Sequence, residues 1–112
     1  MKRGDVYDAR LSPTEGSEQR GTRPVVIVSR NAINDNSTVI VVVPLTDATN
    51  VKRHYPNNVL ITAEEGGLKF DSVALAGQVR AVDVSRLLRR RGTLSTDTMQ
   101  AVDRALRITL DL

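Results

Sequence analysis

The chain has 112 residues, no cysteine, 40% hydrophobic residues and a net charge of +3. Residues 1–112 are one domain's worth of chain, enough to bury a core unaided, and the lack of cysteine excludes disulfides, thiolate metal sites and thiol nucleophiles. Of the sixteen basic residues thirteen are Arg, whose planar fork suits phosphate; a GC-rich genome produces the same bias, so composition permits a nucleic-acid partner without establishing one.

The N-terminal Met1-Lys2-Arg3-Gly4-Asp5 is charged at once and has no apolar stretch of the kind a signal peptide carries. The longest apolar run, Val39 to Leu45, is seven residues, where a membrane helix needs about 20. A cytoplasmic protein without membrane attachment is expected. Asp5 to Leu11 alternates polar and apolar residues as a half-buried strand does. Ser12 to Thr22 is a polar loop of eleven residues with two Gly and a Pro, and loops that long inside compact domains are usually functional.

Pro24 to Ser29 and Thr38 to Leu45 are β-branched, short and bounded by turn formers, which predicts two buried strands. Asn31 to Ser37, with three Asn and an Asp, reads as the loop between them. Further strands are predicted at Asn58 to Thr62, Ser72 to Leu75 and Val79 to Val82, with a turn at Glu64-Glu65-Gly66-Gly67. Arg86-Leu87-Leu88-Arg89-Arg90-Arg91 reads as a solvated face or as part of an electrostatic footprint for a nucleic acid or an acidic partner. The end of the chain is the one good helix: Ser95 can cap it, Asp97 suits its first turn, and Met99, Val102 and Leu106 share a face. Short strands followed by a helix define a mainly β chain with a C-terminal helix (α+β), a small closed or half-closed barrel with the helix packed on it.

Two places offer chemistry. Gly16-Ser17-Glu18-Gln19-Arg20-Gly21-Thr22-Arg23-Pro24 runs from a pliable loop straight into a buried strand, so Arg23 stands on a stiff junction where it can meet a phosphate. An ordinary hairpin loop with a solvated Arg is an equally open reading of these residues alone. Pro44-Leu45-Thr46-Asp47 ends the neighbouring strand, and in an antiparallel pair that end lies beside the start of the other, so Thr46 and Arg23 can face one spot. Thr46 as the mere start of a turn stays open too. His54 is the only histidine, which removes any two-histidine acid–base mechanism, and no carboxylates stand at metal-ligand spacing, so neither metal nor cofactor is called for.

At these residues the chain resembles a known family. Arg3-Gly4-Asp5-Val6-Tyr7, Leu11-Ser12-Pro13, Gly16-Ser17-Glu18-Gln19, Arg23-Pro24-Val25-Val26 and Val43-Pro44-Leu45-Thr46 look like the N-terminal half of MazF/PemK/Kid toxins. Asp71-Ser72-Val73-Ala74-Leu75-Ala76-Gly77-Gln78-Val79-Arg80 resembles the family's second motif block. Any one piece is weak; six in order over the whole chain are specific. Arg20 and Tyr7 depart from the pattern, since many relatives have a small residue at the first position and some have Trp at the second.

The resemblance implies an SH3-like barrel of the PemK/CcdB-like type, a homodimer, a cognate antitoxin partner and cleavage of single-stranded RNA at short sequences by attack of the 2′-OH. It implies that Arg23 and Thr46 form the catalytic centre, that Glu18 and Gln19 belong to a loop over the RNA, and that Gln78 and Arg80 line the groove. Arg23 and Thr46 then stabilise the transition state; Glu18 is the best-placed carboxylate for proton transfer, with Arg23 or the substrate as alternatives. Arg20, Lys52, Arg53, Tyr55 and Lys69 are added as expected RNA contacts; Phe70 can be read in the same way, though as a large apolar residue it is assigned to the core in preference. A non-catalytic toxin of the same fold that poisons DNA gyrase, and an inactive RNA-binding barrel, are the rival readings; neither needs the Arg-Pro and Pro-x-Thr pair.

Overall fold

The computed structural model describes residues 1–112. Seven strands form: β1 (Asp5–Arg10), β2 (Thr22–Ile27), β3 (Val39–Asp47), β4 (Asn58–Ile61), β5 (Ser72–Leu75), β6 (Arg80–Asp83) and β7 (Leu87–Thr93). A short helix α1 (Asn31–Asn36) joins β2 to β3, and α2 (Thr96–Leu110) ends the chain. The strands pair antiparallel in the order β4-β5-β3-β2-β1-β7, with β6 also paired to β3.

The unbroken Val/Ile runs are explained by burial on both faces. Val26, Val43 and Leu45 point into a core shared with Val59 and Ile61 of β4 and with Met99, Val102 and Ala105 of α2. Their neighbours Val25, Ile27, Ile40 and Val42 point the other way, into a second core with Ala9, Leu11 and Val82. Successive strand residues alternate faces, so only a strand covered on both sides is apolar at every position. The α2 stripe is set by the predicted cap: the Ser95 hydroxyl accepts from the Thr98 N–H, and Asp97 lies in the first turn.

The expected mainly β fold with a C-terminal helix is present, in its half-closed form: the sheet bends around the first core and does not close, because β4 and β7 are its two ends and share no ladder, and α2 packs across the first core. Two expectations are corrected. Asn31 to Asn36 is a helix rather than a loop. Its inward residue is polar: Asn34 is buried, and its amide donates to the Ser29 carbonyl at 2.9 Å. Leu87 to Thr93 is a strand, pairing with β1 and interrupted by two register shifts.

Asp5 ties the first strand to the last. It is buried, and its carboxylate accepts from the Lys2 N–H at 2.9 Å, the Thr93 hydroxyl at 2.8 Å and the Arg90 guanidinium at 3.5 Å. Burial alone would raise its pKa; the hydrogen bonds from Thr93, Lys2 and Arg90 outweigh burial and hold it below the ordinary 3.8. A depressed folded-state pKa gives stability that is complete above the unfolded value and is lost as pH falls through the folded one. Asp5→Asn is therefore expected to cost about 1–2 kcal/mol at pH 7, a deficit that narrows as pH drops below 3.8. Urea unfolding at pH 7 and pH 3 checks this, and a deficit that does not change with pH contradicts it.

Candidate active site

Between the end of β3 and the start of β2 the register does the positioning. Val25 pairs with Pro44 and Val26 with Val43. Val25–Pro44 is the last pair of this ladder, and continuing its register outward brings Arg23 to the same end of the sheet as Thr46. Both side chains line one cleft of about 260 Å³, together with Asp47, Lys69, Phe70 and Arg91.

Arg23 is exposed, and its Nε donates to the Arg20 carbonyl at 3.1 Å. That bond fixes the plane of the guanidinium while its two terminal nitrogens make no protein hydrogen bond. Thr46 is only 6% exposed, and its hydroxyl oxygen accepts from the Asn50 amide at 3.2 Å. With the oxygen engaged this way, the hydroxyl proton is free to be donated into the cleft. Asp47 is the carboxylate at the rim. Hydrogen bonds from the Thr49 N–H and hydroxyl hold its carboxyl below the ordinary 3.8, so it is a stable anion and a weak base at neutral pH.

The far wall is built by a backbone crossing. Gly67 has φ +74°, and a Cβ there would lie 2.1 Å from the Arg91 carbonyl oxygen; one on Gly92 would lie 2.7 Å from the Gly66 carbonyl carbon. Two glycines let the Glu65–Gly67 turn lie directly on β7. Arg91 then reaches back to the Gly67 carbonyl through Nε at 3.2 Å and through a terminal nitrogen at 3.1 Å, and pairs with Asp8 at 3.2 Å. The segment Leu68-Lys69-Phe70 leaves from this fixed point.

The remaining expected site residues divide into two groups. Glu18, Gln19, Gln78 and Arg80 share a second cleft of about 200 Å³ with Pro44, Gly77 and Val79. There the Gln19 N–H donates to Gln78 Oε1 at 2.9 Å, Gln78 Nε2 donates to the Ser17 carbonyl at 3.3 Å, and Arg80 donates to the Leu11 carbonyl at 3.3 Å. Arg20 braces the loop between the clefts, donating to the Gly16 carbonyl at 3.1 Å. The structure does not bring Glu18 to Arg23 and Thr46: its Oε1 accepts from the Glu15 N–H at 2.7 Å within the loop. Lys52, Arg53 and Tyr55 are exposed on the segment before β4 and line neither cleft, whereas Lys69 lines the first.

Phe70, assigned above to the core, is 64% exposed and corrects that expectation. It follows the buried Leu68 in a bend and has no strand partner to turn it inward. Sequence reasoning also passed over Asp47, Asn50 and Arg91. The Pro-x-Thr-Asp run held the signal for Asp47. Nothing local marked Asn50, and Arg91 was hidden in a charge run.

A small bent antiparallel sheet with a C-terminal helix that sets an arginine and a threonine in one cleft defines a compact α+β fold, and comparison with known proteins is more specific. Residues 2–110 match the family described as PemK-like, MazF-like toxin of type II toxin-antitoxin system. The chain belongs to this family. It is 39% identical over 117 aligned positions to Endoribonuclease MazF9 of Mycobacterium tuberculosis, covering 100% of this chain and 98% of the relative. Its fold matches an endoribonuclease in complex with its cognate antitoxin from a mycobacterial species, with TM-score 0.81, 28% identity and coverage of 100% and 96% of the two chains. It also matches MazF from Deinococcus radiodurans, with TM-score 0.84, 26% identity and coverage of 100% and 97%.

The Gly67 crossing gives a direct test of the wall. Gly67→Ala combines a left-handed backbone with a clash against the Arg91 carbonyl, and is expected to lower stability by at least about 2 kcal/mol. A urea midpoint equal to wild type would show that the two backbones do not lie in contact.

Proposed function

We propose that this chain is the toxin of a toxin–antitoxin pair and an endoribonuclease that cuts single-stranded RNA without a metal, by attack of a 2′-OH on the adjacent phosphorus. The bond from phosphorus to the 5′ oxygen breaks, leaving a 2′,3′-cyclic phosphate and a 5′-OH. The observation that carries this reading is the placement of Arg23 and Thr46 in one cleft with the Arg23 fork unoccupied, in a chain 39% identical to an endoribonuclease.

The reaction sets three tasks: removing the 2′ proton, stabilising the charge on the phosphorane and protonating the leaving oxygen. Arg23 meets the second with a preorganised cation whose terminal nitrogens face the nonbridging oxygens. Thr46 adds a hydroxyl donor to the same group, held in place through Asn50. Glu18 assists proton transfer from the neighbouring cleft once an RNA strand lies across both. Asp47 is the poorer proton acceptor, because the hydrogen bonds from Thr49 lower its basicity. Gln19, Arg20, Gln78 and Arg80 hold the strand at the second cleft, Lys69 at the first, and Lys52, Arg53 and Tyr55 meet the RNA further out. In the cytoplasm an antitoxin segment, acidic and apolar to complement the arginines, covers the same clefts of a homodimer.

Incubating the protein with a long single-stranded RNA in EDTA and mapping the ends tests the chemistry. Cuts at one short sequence with cyclic or 3′-phosphate and 5′-OH ends are expected. Arg23→Ala is expected to lose at least about 10³-fold in rate and Thr46→Val about 10²-fold, with unchanged thermal unfolding. Glu18→Gln is expected to lose about 10²-fold; a loss below about threefold reassigns the proton to Arg23 or the substrate. Cleavage that needs a divalent ion, or that survives Arg23→Ala, sinks the mechanism.

Co-purification checks the partners. Co-expressed with a cognate antitoxin, the chain is expected to form a complex containing two of its 12.3 kDa copies and unable to cut RNA. A complex with a single copy removes the homodimer, and undiminished cleavage removes the inhibitory role.

A further inference from the structure

Phe70 is the only phenylalanine of the chain and stands 64% exposed. Its backbone is well fixed. The buried Leu68 lies two residues before it, and the buried Ser72 two residues after it donates its hydroxyl to the Phe70 carbonyl at 3.0 Å. The adjacent Asp71 accepts from the Ala63 N–H at 2.8 Å through its side chain and from the Ala48 N–H at 2.8 Å through its carbonyl. An apolar ring held in water on an anchored segment is a built surface rather than a fraying loop.

The ring borders two depressions that share Asp47 at their boundary, the cations lying in one and Asp71 in the other. On one side is the cleft of Arg23, Thr46 and Lys69. On the other is a shallower hollow lined by Asp47, Thr49, Ala63 and Asp71. The cationic side suits a phosphate, and the carboxylates of the other side repel one. A single-stranded nucleotide has two such parts, an anionic backbone and an uncharged base with a π-face, and base stacking on an aromatic side chain is tolerant of sequence.

We propose that Phe70 is a stacking platform for the nucleobase next to the phosphate held by Arg23 and Thr46, with the base lying over the hollow on the Asp47 and Asp71 side. This rests on the RNA-cleaving reading above. It makes Phe70 a substrate-binding residue beside the reacting atoms, set in place by the Gly67–Arg91 crossing. The hollow adds a contact for sequence choice on one side of the cut.

The test uses a 2′-O-methyl oligonucleotide, which cannot be cut, spanning the mapped cleavage sequence with 2-aminopurine placed at each flanking position in turn. Wild type and Phe70→Tyr are expected to quench the probe several-fold at one position, and Phe70→Leu to leave it bright. On cleavable RNA, Phe70→Leu is expected to raise KM about tenfold with kcat within about threefold, and to relax the base preference at that position. Unchanged quenching and KM in Phe70→Leu, with cleavage intact, overturn the stacking role alone. A folded wild type that neither binds nor cuts RNA overturns the proposed activity, and the stacking role falls with it.

Discussion

Strand β3 is hydrogen-bonded on both edges, and on one of them it changes partner partway along. Val39 to Val42 pair with β6, and Leu45 to Asp47 pair with β5. The opposite edge holds β2 through Val42, Val43 and Pro44. The change falls at Val43-Pro44, where Pro44 has no N–H to give to a ladder. The turn Ala76–Gln78 that joins β5 to β6 sits at this gap, which is why Pro44, Gly77 and Gln78 line one cleft while Leu45 and Thr46 line the other. Because β3 is buried on both faces, a slip by one residue would exchange its two apolar sets between the cores and also separate Arg23 from Thr46. The packing of the cores and the geometry of the site are therefore set by one register.

The arginine excess looks different once partners are assigned. Arg3 pairs with Asp103, Arg90 with Asp5, and Arg91 and Arg89 with Asp8. Arg86 donates to the Arg10 and Ser12 carbonyls at 2.9 and 2.7 Å, closing the base of the long loop. These side chains hold strands and loops together, and exposed pairs such as Arg89–Asp8 contribute little stability. At the cleft, Arg91 is balanced by Asp8, so the cations left for a polyanion are Arg23 and Lys69 against the single carboxylate of Asp47. The field for phosphate is local and arises from a few placed groups rather than from a net charge of +3.

What could be read from sequence follows from which physical signal each element carries. β2 and β3 were legible because burial on two faces writes a continuous β-branched run, and α2 because one buried stripe and a Ser cap write a period and a boundary. α1 escaped because its inward anchor is Asn34, held by hydrogen bonds to Ser29, and polar anchoring leaves no hydrophobic period. β7 escaped for a related reason: it ends the sheet, and Arg89, Arg90 and Arg91 read as solvent-facing charge, although their carboxylate partners on β1 lie more than 80 residues away. Phe70 was misplaced by the general rule that a large apolar residue is buried. Arg23 and Thr46 were legible as a pair because both lie at the ends of recognisable strands. Glu18 was harder, since its position depends on the path of an irregular loop.

That loop also decides how the two clefts cooperate. Leu11 donates to the Gly21 carbonyl at 2.9 Å and Gly21 donates to Ser12 Oγ at 2.8 Å, so the loop is pinched at its base. Its tip is tied to the second cleft by the two Gln78 bonds and to the first by the carbonyl of Arg20, which holds Arg23 Nε. Pro44 of the second cleft and Thr46 of the first are two residues apart on β3, about 6.6 Å along the strand. In the proposed reading, one strand of RNA crossing that distance touches Gln19, Gln78 and Arg80 on one side and Arg23 and Thr46 on the other. The loop that lines the second cleft also carries the Arg20 carbonyl that accepts from Arg23 Nε, so in the proposed reading the recognition cleft and the Arg23 guanidinium are linked through a single backbone carbonyl.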